Sequence, residues 1–492
     1  MSAGSRSSAG SRPARGRVYL LGVDGGSQST KVVVHDLQGG VVCQTQSALR
    51  PTHRPRPGVV EHPDDDLWHS LATACRDVMA QLPDGARIAG VGLCSIRFCR
   101  ALLRRDGSLA MPVLSWMDSR VSQPHAPEPD DGVAVASVTT SSGYLTHRLT
   151  GQRRDTAANY QGQWPIDTDT WAWSTDDAVV ASSGLRRERL FELVLPGTLL
   201  GTVTAAAAAA TGIPSGTPVF ATANDKAVEA LGCGVTGPDV GLLSLGTYIA
   251  GMVTGEGNLR DTTDHWTNFA SVPHTYLYES HGIRRGMWTV SWLRGLFEAE
   301  LAAAAHAAGT SVEDVMNAGA AQVPAGSDGL LTVLDWLAPT DHPHRRGVML
   351  GFDDRHGWAH LYRSVLEGIA LTMHERMTAM TDELGRPLHR LVLSGGGARS
   401  DLMAQIVADV FDLPVTRMQA PSGAALGAAV CAAAGLGLHP DVVTAAAAMT
   451  HVADVAQPSP DSVELYRRLG PVYRSIQAQT DPVLAQLHSI LP

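Results

Sequence analysis

Few cysteines, no long apolar run and no excess of positive charge bound what this chain can be. Its 492 residues hold six cysteines (Cys43, Cys75, Cys94, Cys99, Cys233 and Cys431), none in a C-x-x-C pair. That usage speaks against a disulfide framework and a zinc ribbon, and makes a reduced, cytoplasmic compartment the expectation. The most apolar stretch, Ala424 to Leu438, consists of small side chains and falls short of the ~20 residues of a membrane span. It reads as a buried helix. Lys and Arg number 38 against 48 Asp and Glu, a net charge of −10, which argues against a nucleic-acid partner and is read as solubility. There is no G-x-x-x-x-G-K-[ST] loop, so a Walker A phosphate site is excluded. Residues 1–17 are Ser, Gly and Arg without an apolar core, which reads as a disordered basic tail rather than a secretory signal.

What is present is an ordinary globular composition, 44% hydrophobic and 17% charged, on a chain long enough for two large domains. Residues 18–35 alternate strand, tight turn and strand (VYLLGV, DGGSQS, TKVVVH), and VVCQTQ follows the turn at Gly39-Gly40. Gly-cornered β segments of this kind predict an antiparallel meander. Pro63 and three aspartates then open a helix whose apolar face is Leu67, Leu71, Ala74, Val78 and Leu82. A buried strand, IAGVGLCS, comes next. Comparable punctuation restarts near Val240, where GLLSLGTYIAGMVTG is again strand, turn and strand. Two halves are expected, meeting near Gly234 to Asp239: 18–238, 239–450, and a helical extension over 451–492.

Three turns have the composition of phosphate-binding loops. They are Asp24-Gly25-Gly26-Ser27, Ser244-Leu245-Gly246-Thr247 and Ser394-Gly395-Gly396-Gly397 with Ser400. Glycines let the backbone approach a phosphate, and amides and hydroxyls supply donors. Asp24 at a strand end suits Mg2+ held through water. Each turn alone is also an ordinary hairpin or loop corner. Asn224-Asp225 ends a strand ahead of an Ala-rich helix. Asp225 is there either a helix N-cap or a general base for a hydroxyl attacking a γ-phosphate, and local sequence does not choose between them.

Taken in order, the motifs are similar to those of the FGGY family of carbohydrate kinases, which includes xylulokinase, ribulokinase and glycerol kinase. They are Gly22-Val23-Asp24-Gly25-Gly26-Ser27 with Lys31, Val60-Glu61-His62-Pro63 with Trp68, and Trp116-Met117-Asp118-Ser119-Arg120. Tyr144-Leu145 with Arg148-Leu149-Thr150-Gly151, Asn224-Asp225, Leu245-Gly246-Thr247, Ser394 to Gly397, and Ala425-Leu426-Gly427-Ala428-Ala429 complete the series. The resemblance runs from about Val18 to past Leu438. It implies an α/β fold of two actin-like (ribonuclease H-like, hexokinase/Hsp70-type) domains flanking a cleft, with sugar mostly on the first and ATP mostly on the second. It implies Asp225 as catalytic base and Asp24 as Mg2+ holder. Gly25, Gly26, Ser27, Gly246 and Thr247 would flank the phosphates, and Gly396, Gly397 and Ser400 would lie near the adenosine.

The departures cluster around the sugar. Where xylulokinases read G-Q-M-H-G, this chain has Ser95-Ile96-Arg97-Phe98-Cys99, so Arg97 and Phe98 stand at the substrate positions. Arg97 is either a donor to hydroxyls or a carboxylate, or a surface salt bridge. Lys226 either contacts substrate and favours ionised Asp225, or faces water in the first helical turn. The segment between Arg120 and Tyr144 is shorter than the family's, and the family's G-E-R region is replaced around Leu337 to Asp341. The expectation is phosphoryl transfer from MgATP to a hydroxyl of a small sugar, polyol or sugar acid, by an enzyme without nucleic-acid or membrane partners, a homodimer being one assembly. The alternatives are a silent sugar or nucleotide sensor on the same fold and an actin- or Hsp70-like ATPase.

Overall fold

The computed structural model describes residues 17–126, 135–339 and 342–491. The basic tail, residues 1–16, lies outside the described residues, as do much of the short segment after Arg120 and the end of the Leu337 to Asp341 stretch. Arg17 already belongs to the fold: its carbonyl accepts from the amide of Arg87 at 3.0 Å.

The first sheet is built from β1 (Val18–Gly25), β2 (Ser29–His35), β3 (Val41–Ala48), β4 (Arg87–Ser95), β5 (Leu199–Thr202) and β6 (Pro218–Ala221), in the order β5-β6-β4-β1-β2-β3. The expected meander forms: β1, β2 and β3 pair antiparallel. β4 then runs parallel to β1, and β6 parallel to β4. The helix predicted after Pro63 is α1, Asp66–Met79. On one face of β1, Tyr19, Leu21 and Val23 join Leu67, Leu71 and Val78 of α1 in a shared core. The period of two sends Leu20 to the opposite core.

The second sheet repeats the plan. Its strands are β7 (Val240–Leu245), β8 (Ile249–Gly255), β9 (His265–Phe269), β10 (Tyr276–Ser280), β11 (Arg390–Ser394), β12 (Val415–Met418) and β13 (Val452–Ala456), ordered β9-β10-β8-β7-β11-β12-β13. β7 and β8 pair antiparallel and β11 runs parallel to β7, as β1, β2 and β4 do. The segment from 451 is therefore not helical throughout. β13 pairs antiparallel with β12 before the long helix Pro460–Ile490 begins. The backbone of Val452 to Ala456 pairs a sheet edge that a helix there would leave unpaired.

The alanine-rich segment is a helix, Gly423–Gly435, all but its last two residues buried. It packs back onto the first sheet, although it follows the second sheet's strands. Small residues on both sides permit this contact. A Cβ added to Gly22 would stand 1.9 Å from the Ala425 carbonyl oxygen, and one on Gly92 1.8 Å from that of Ala428. At Gly427 it would stand 2.0 Å from the Val228 carbonyl. Backbone cannot yield as a flexible side chain can. Gly92→Val is therefore expected to destabilise the protein by at least about 3 kcal/mol, read from the urea midpoint. An unchanged midpoint would mean that the helix does not sit this close to the sheet.

Candidate active site

Asp24 is the penultimate residue of β1, and Gly26 to Gln28 turn the chain into β2. The Gly26 amide donates to the Ser29 carbonyl at 3.0 Å, and the Gly25 carbonyl accepts from Ile96 at 2.7 Å. Ser27 projects into solvent. Burial pushes the Asp24 carboxyl up to about 6; Asp225 and Glu229 add to the rise, against Lys31 and a hydrogen bond from Ser422. That bond, at 3.4 Å, comes from the residue capping the alanine-rich helix, so the two halves of the chain meet at Asp24.

Asp225 opens the helix Asp225–Gly232, and the capping alternative falls to its neighbour. Asn224 is the N-cap, its Oδ1 accepting from the Ala227 amide at 3.0 Å. Asn224 Nδ2 also donates to the carbonyls of Ala158 and Phe269, fastening this helix start to both domains. The Asp225 carboxylate is thus left uncommitted. Its Oδ1 is buried without a hydrogen-bond partner, and Arg97 Nε stands 3.8 Å away.

Lys226 does not face water. Its Nζ donates to Glu229 Oε2 at 2.9 Å and to Ser244 Oγ at 2.8 Å. Burial opposes its charge, but the Glu229 and Asp225 carboxylates outweigh that and hold its pKa up. Ser244 in turn donates to Glu229 at 2.9 Å, which ties the helix of Asp225 to the strand leading into Gly246-Thr247.

The other two turns adjoin because β7 and β11 are neighbours. Gly395 has φ +83°, and a Cβ there would stand 2.6 Å from the Leu245 carbonyl oxygen. Gly396 faces open space. The Gly246 and Thr247 carbonyls accept from Met287 at 3.2 Å and Gly286 at 2.8 Å. Ser400 is the N-cap of the helix Asp401–Phe411, and its hydroxyl also donates to Asn317 Oδ1 at 2.6 Å. That hydroxyl is committed to shaping the loop.

Arg97 is not a surface residue either. Its guanidinium makes a two-pronged pair with Glu279 of β10, Nη2 to Oε2 at 2.9 Å, and Glu279 is fully buried. Burial works against the Arg97 charge, yet Glu279 overcomes it and raises its pKa. Asn268 Nδ2 donates to the same carboxylate. The guanidinium lies 4.7 Å from the Trp266 ring centre and 5.3 Å from that of Phe98. Phe98 has φ +62°, costly for a bulky residue. A first-domain loop is thereby held against a second-domain strand across the cleft.

Other motifs turn out to brace the first domain. Asp118 accepts from the Val60 amide at 2.7 Å, and Arg120 bonds both Asp118 and Glu61, each at 2.7 Å. Arg148 and Tyr144 grip Asp65, with Arg148 also 4.5 Å from the Trp68 ring centre. Glu229, Trp266, Asn268 and Glu279 escaped the sequence reading. The one signal for Glu229, Asn268 and Glu279 is an acid or amide inside an apolar strand or helix, as in YLYES; Trp266 carries none.

Two family models match the chain, the N-terminal domain of the FGGY carbohydrate kinases over residues 19–128 and the C-terminal domain over residues 241–436. The chain belongs to the FGGY family of carbohydrate kinases. It is 46% identical over 475 residues to the sugar kinase YgcE of Escherichia coli K12, covering 96% of each. It is 24% identical to the xylulose kinase of Bacillus subtilis, over 96% of this chain and 99% of that one. Its fold matches the ligand-bound xylulose kinase of Lactobacillus acidophilus with TM-score 0.80, over 96% of this chain and 100% of the other. That likeness, at 19% identity, establishes the two actin-like domains. The kinase therefore uses ATP to phosphorylate a sugar or polyol. Among the described residues no helix is long and apolar enough to cross a membrane.

Among the described residues no three acids, histidines or cysteines form a metal cage. Mg2+ needs no such cage, since it keeps several waters and takes one or two carboxylates beside substrate phosphates. Asp24 fits such a role, since a cation would offset the burial and acidic neighbours that raise its pKa.

Proposed function

We propose that this kinase transfers the γ-phosphoryl group of MgATP to a hydroxyl of a neutral sugar or polyol, with Asp225 as general base. The observation that carries the base is a carboxylate not spent on the cap: Asn224 caps the helix, and Asp225 Oδ1 is buried with no hydrogen-bond partner among the described residues, 3.8 Å from Arg97 Nε. A carboxylate so placed accepts the proton that the attacking hydroxyl loses. Gly25, Gly26 and Ser27 approach the transferring phosphate from the first domain, and Gly246 and Thr247 from the second. Gly396 faces open space and leaves room for the adenosine, while Gly397 packs against Leu245 and Met287 and, with Ser400, holds that loop. Asp24 would hold Mg2+ through water, which would supply charge compensation for the phosphates.

Preference for a neutral substrate rests on the Arg97–Glu279 pair, because a guanidinium already matched by a buried carboxylate has little charge left for a second one. Arg97 and Phe98 then border the sugar as a positioned wall, Arg97 setting the orientation of Asp225 from 3.8 Å. The test is ADP release from MgATP over a panel of ketoses, polyols and sugar acids. Turnover with neutral members and at most a trace with acids is expected. Acids outperforming neutral sugars would overturn the preference. ADP release independent of every sugar would favour an ATPase instead.

Mg2+ dependence should also be pH-dependent. The folded-state pKa of Asp24 is raised from 3.8 to about 6. Its neutral form is thus favoured in the metal-free fold, a stabilisation complete below pH 3.8 and lost as pH rises through about 6. A cation needs the ionised form. Apparent Mg2+ affinity should therefore climb between about pH 5 and about 7, and Asp24→Asn should flatten that rise. An identical climb in the variant would remove Asp24 from the metal site.

A further inference from the structure

A cavity of about 430 Å³ lies on the second domain, with Tyr248, the residue that follows the Gly246-Thr247 turn, in its wall. Its lining is lopsided in charge among the described residues: Arg284, Arg345, Arg376, His281 and His342 against the single carboxylate of Asp335. Some of these groups are already engaged. Arg345 pairs with Asp481 at 2.6 Å, Asp335 accepts from Gln477 at 2.7 Å, and His281 Nε2 lies 3.0 Å from the Thr263 carbonyl. Two guanidiniums have only a carbonyl each. Arg376 donates to the Gly282 carbonyl at 2.5 Å and Arg284 to that of Ala338 at 2.7 Å. Neither makes an ion pair among the described residues. Burial depresses the Arg376 pKa, with Asp335 and Tyr248 offsetting only part of it. A cation withdrawn from water without a counter-ion costs free energy that a bound anion recovers.

The cavity is wired to the Gly246-Thr247 turn. Its wall residue Ile283 exchanges two backbone hydrogen bonds with Ile249, at 2.9 and 3.0 Å. Three and four residues on, Gly286 and Met287 donate to the carbonyls of Thr247 and Gly246. A ligand that engages Arg376 competes with the Gly282 carbonyl for its guanidinium and therefore acts on the backbone that holds the turn.

We propose that this cavity is a regulatory site for a small phosphate-bearing molecule held by Arg376 and Arg284, its occupancy felt at Gly246-Thr247 through the Gly282–Met287 segment. A phosphate is nearly a dianion at neutral pH, which matches two guanidinium charges that have no ion pair among the described residues, and their planar forks suit its oxygens. Binding stands on the arginines alone; the transmission rests on Gly246-Thr247 being the phosphate turn of the catalytic site.

Calorimetry on the full chain saturated with ADP, which occupies the catalytic nucleotide site, tests this. Inorganic phosphate and glycerol 3-phosphate are the two probes, and their relative affinities distinguish free phosphate from a phosphate ester as the natural ligand. One site per chain is expected, weakened about tenfold or more in Arg376→Gln and in Arg284→Ala, and unchanged in Asp225→Asn. Arg284 is exposed, so its variant keeps the test valid if Arg376→Gln folds poorly. The bound probe should shift KM for ATP in the unaltered chain and leave it fixed in Arg284→Ala. No binding to the ADP-saturated chain, or equal binding in both arginine variants, would overturn the site. Arginine-dependent phosphate binding in a chain that binds no ADP would support the cavity and count against the turn.

Discussion

Asp225→Asn is expected to lower sugar-dependent ADP release by about 10²- to 10⁴-fold, the range for loss of a positioned general base. ATP affinity should barely move. The amide is nearly isosteric with the carboxylate, and Asn224, which caps the helix, is untouched. The variant should therefore fold with its turns intact while lacking a proton acceptor at the attacking hydroxyl. Lys226 should stay in place, because it is held by Glu229 and Ser244. A kcat within threefold of the parent would sink the assignment. A rise in KM for sugar with kcat unchanged would recast Asp225 as a binding group only.

The Arg97–Glu279 pair carries the second large effect. Arg97→Met leaves a fully buried carboxylate with Asn268 as its one neutral donor. Glu279→Gln leaves a guanidinium whose nearest acid is Asp225 at 3.8 Å. Breaking one side of a buried pair costs about 3–5 kcal/mol, whereas replacing both partners by apolar residues of similar volume is often near neutral. Arg97→Met combined with Glu279→Leu should thus be more stable in urea than either single variant, the non-additivity of a double-mutant cycle. The singles should also differ in kinetics. Glu279→Gln frees Arg97 to draw Asp225 into an ion pair, lowering kcat beyond any loss of stability. Simple additivity of the two stability changes would show that the pair is not coupled. Equal kcat in both singles would show that Arg97 does not orient the base.

Some of this was readable from local pattern. The turn glycines between apolar strands, the helix after Pro63 and the buried alanine-rich helix depend on periodicity and on short-range backbone sterics, which sequence displays directly. The ordered motifs gave the family because each preserves a backbone shape at a fixed place in the chain. Less legible were the fates of individual side chains. Asn224 and Asp225 are both good capping residues, and their roles separate only through the hydrogen bond to Ala227. Ser400, expected near the nucleotide, caps a helix and bonds Asn317, a partner 83 positions away.

The sequence by itself determined the two-domain α/β plan, the three glycine turns and the kinase family, because these follow from spacing, small residues and chain order. Only the tertiary structure decided that Arg97 meets Glu279 across 182 positions, that Lys226 is buried against Glu229 and Ser244, and that the alanine-rich helix returns to the first sheet. Charge pairing in a low-dielectric interior depends on which segments fold against one another, and no local pattern encodes that neighbour.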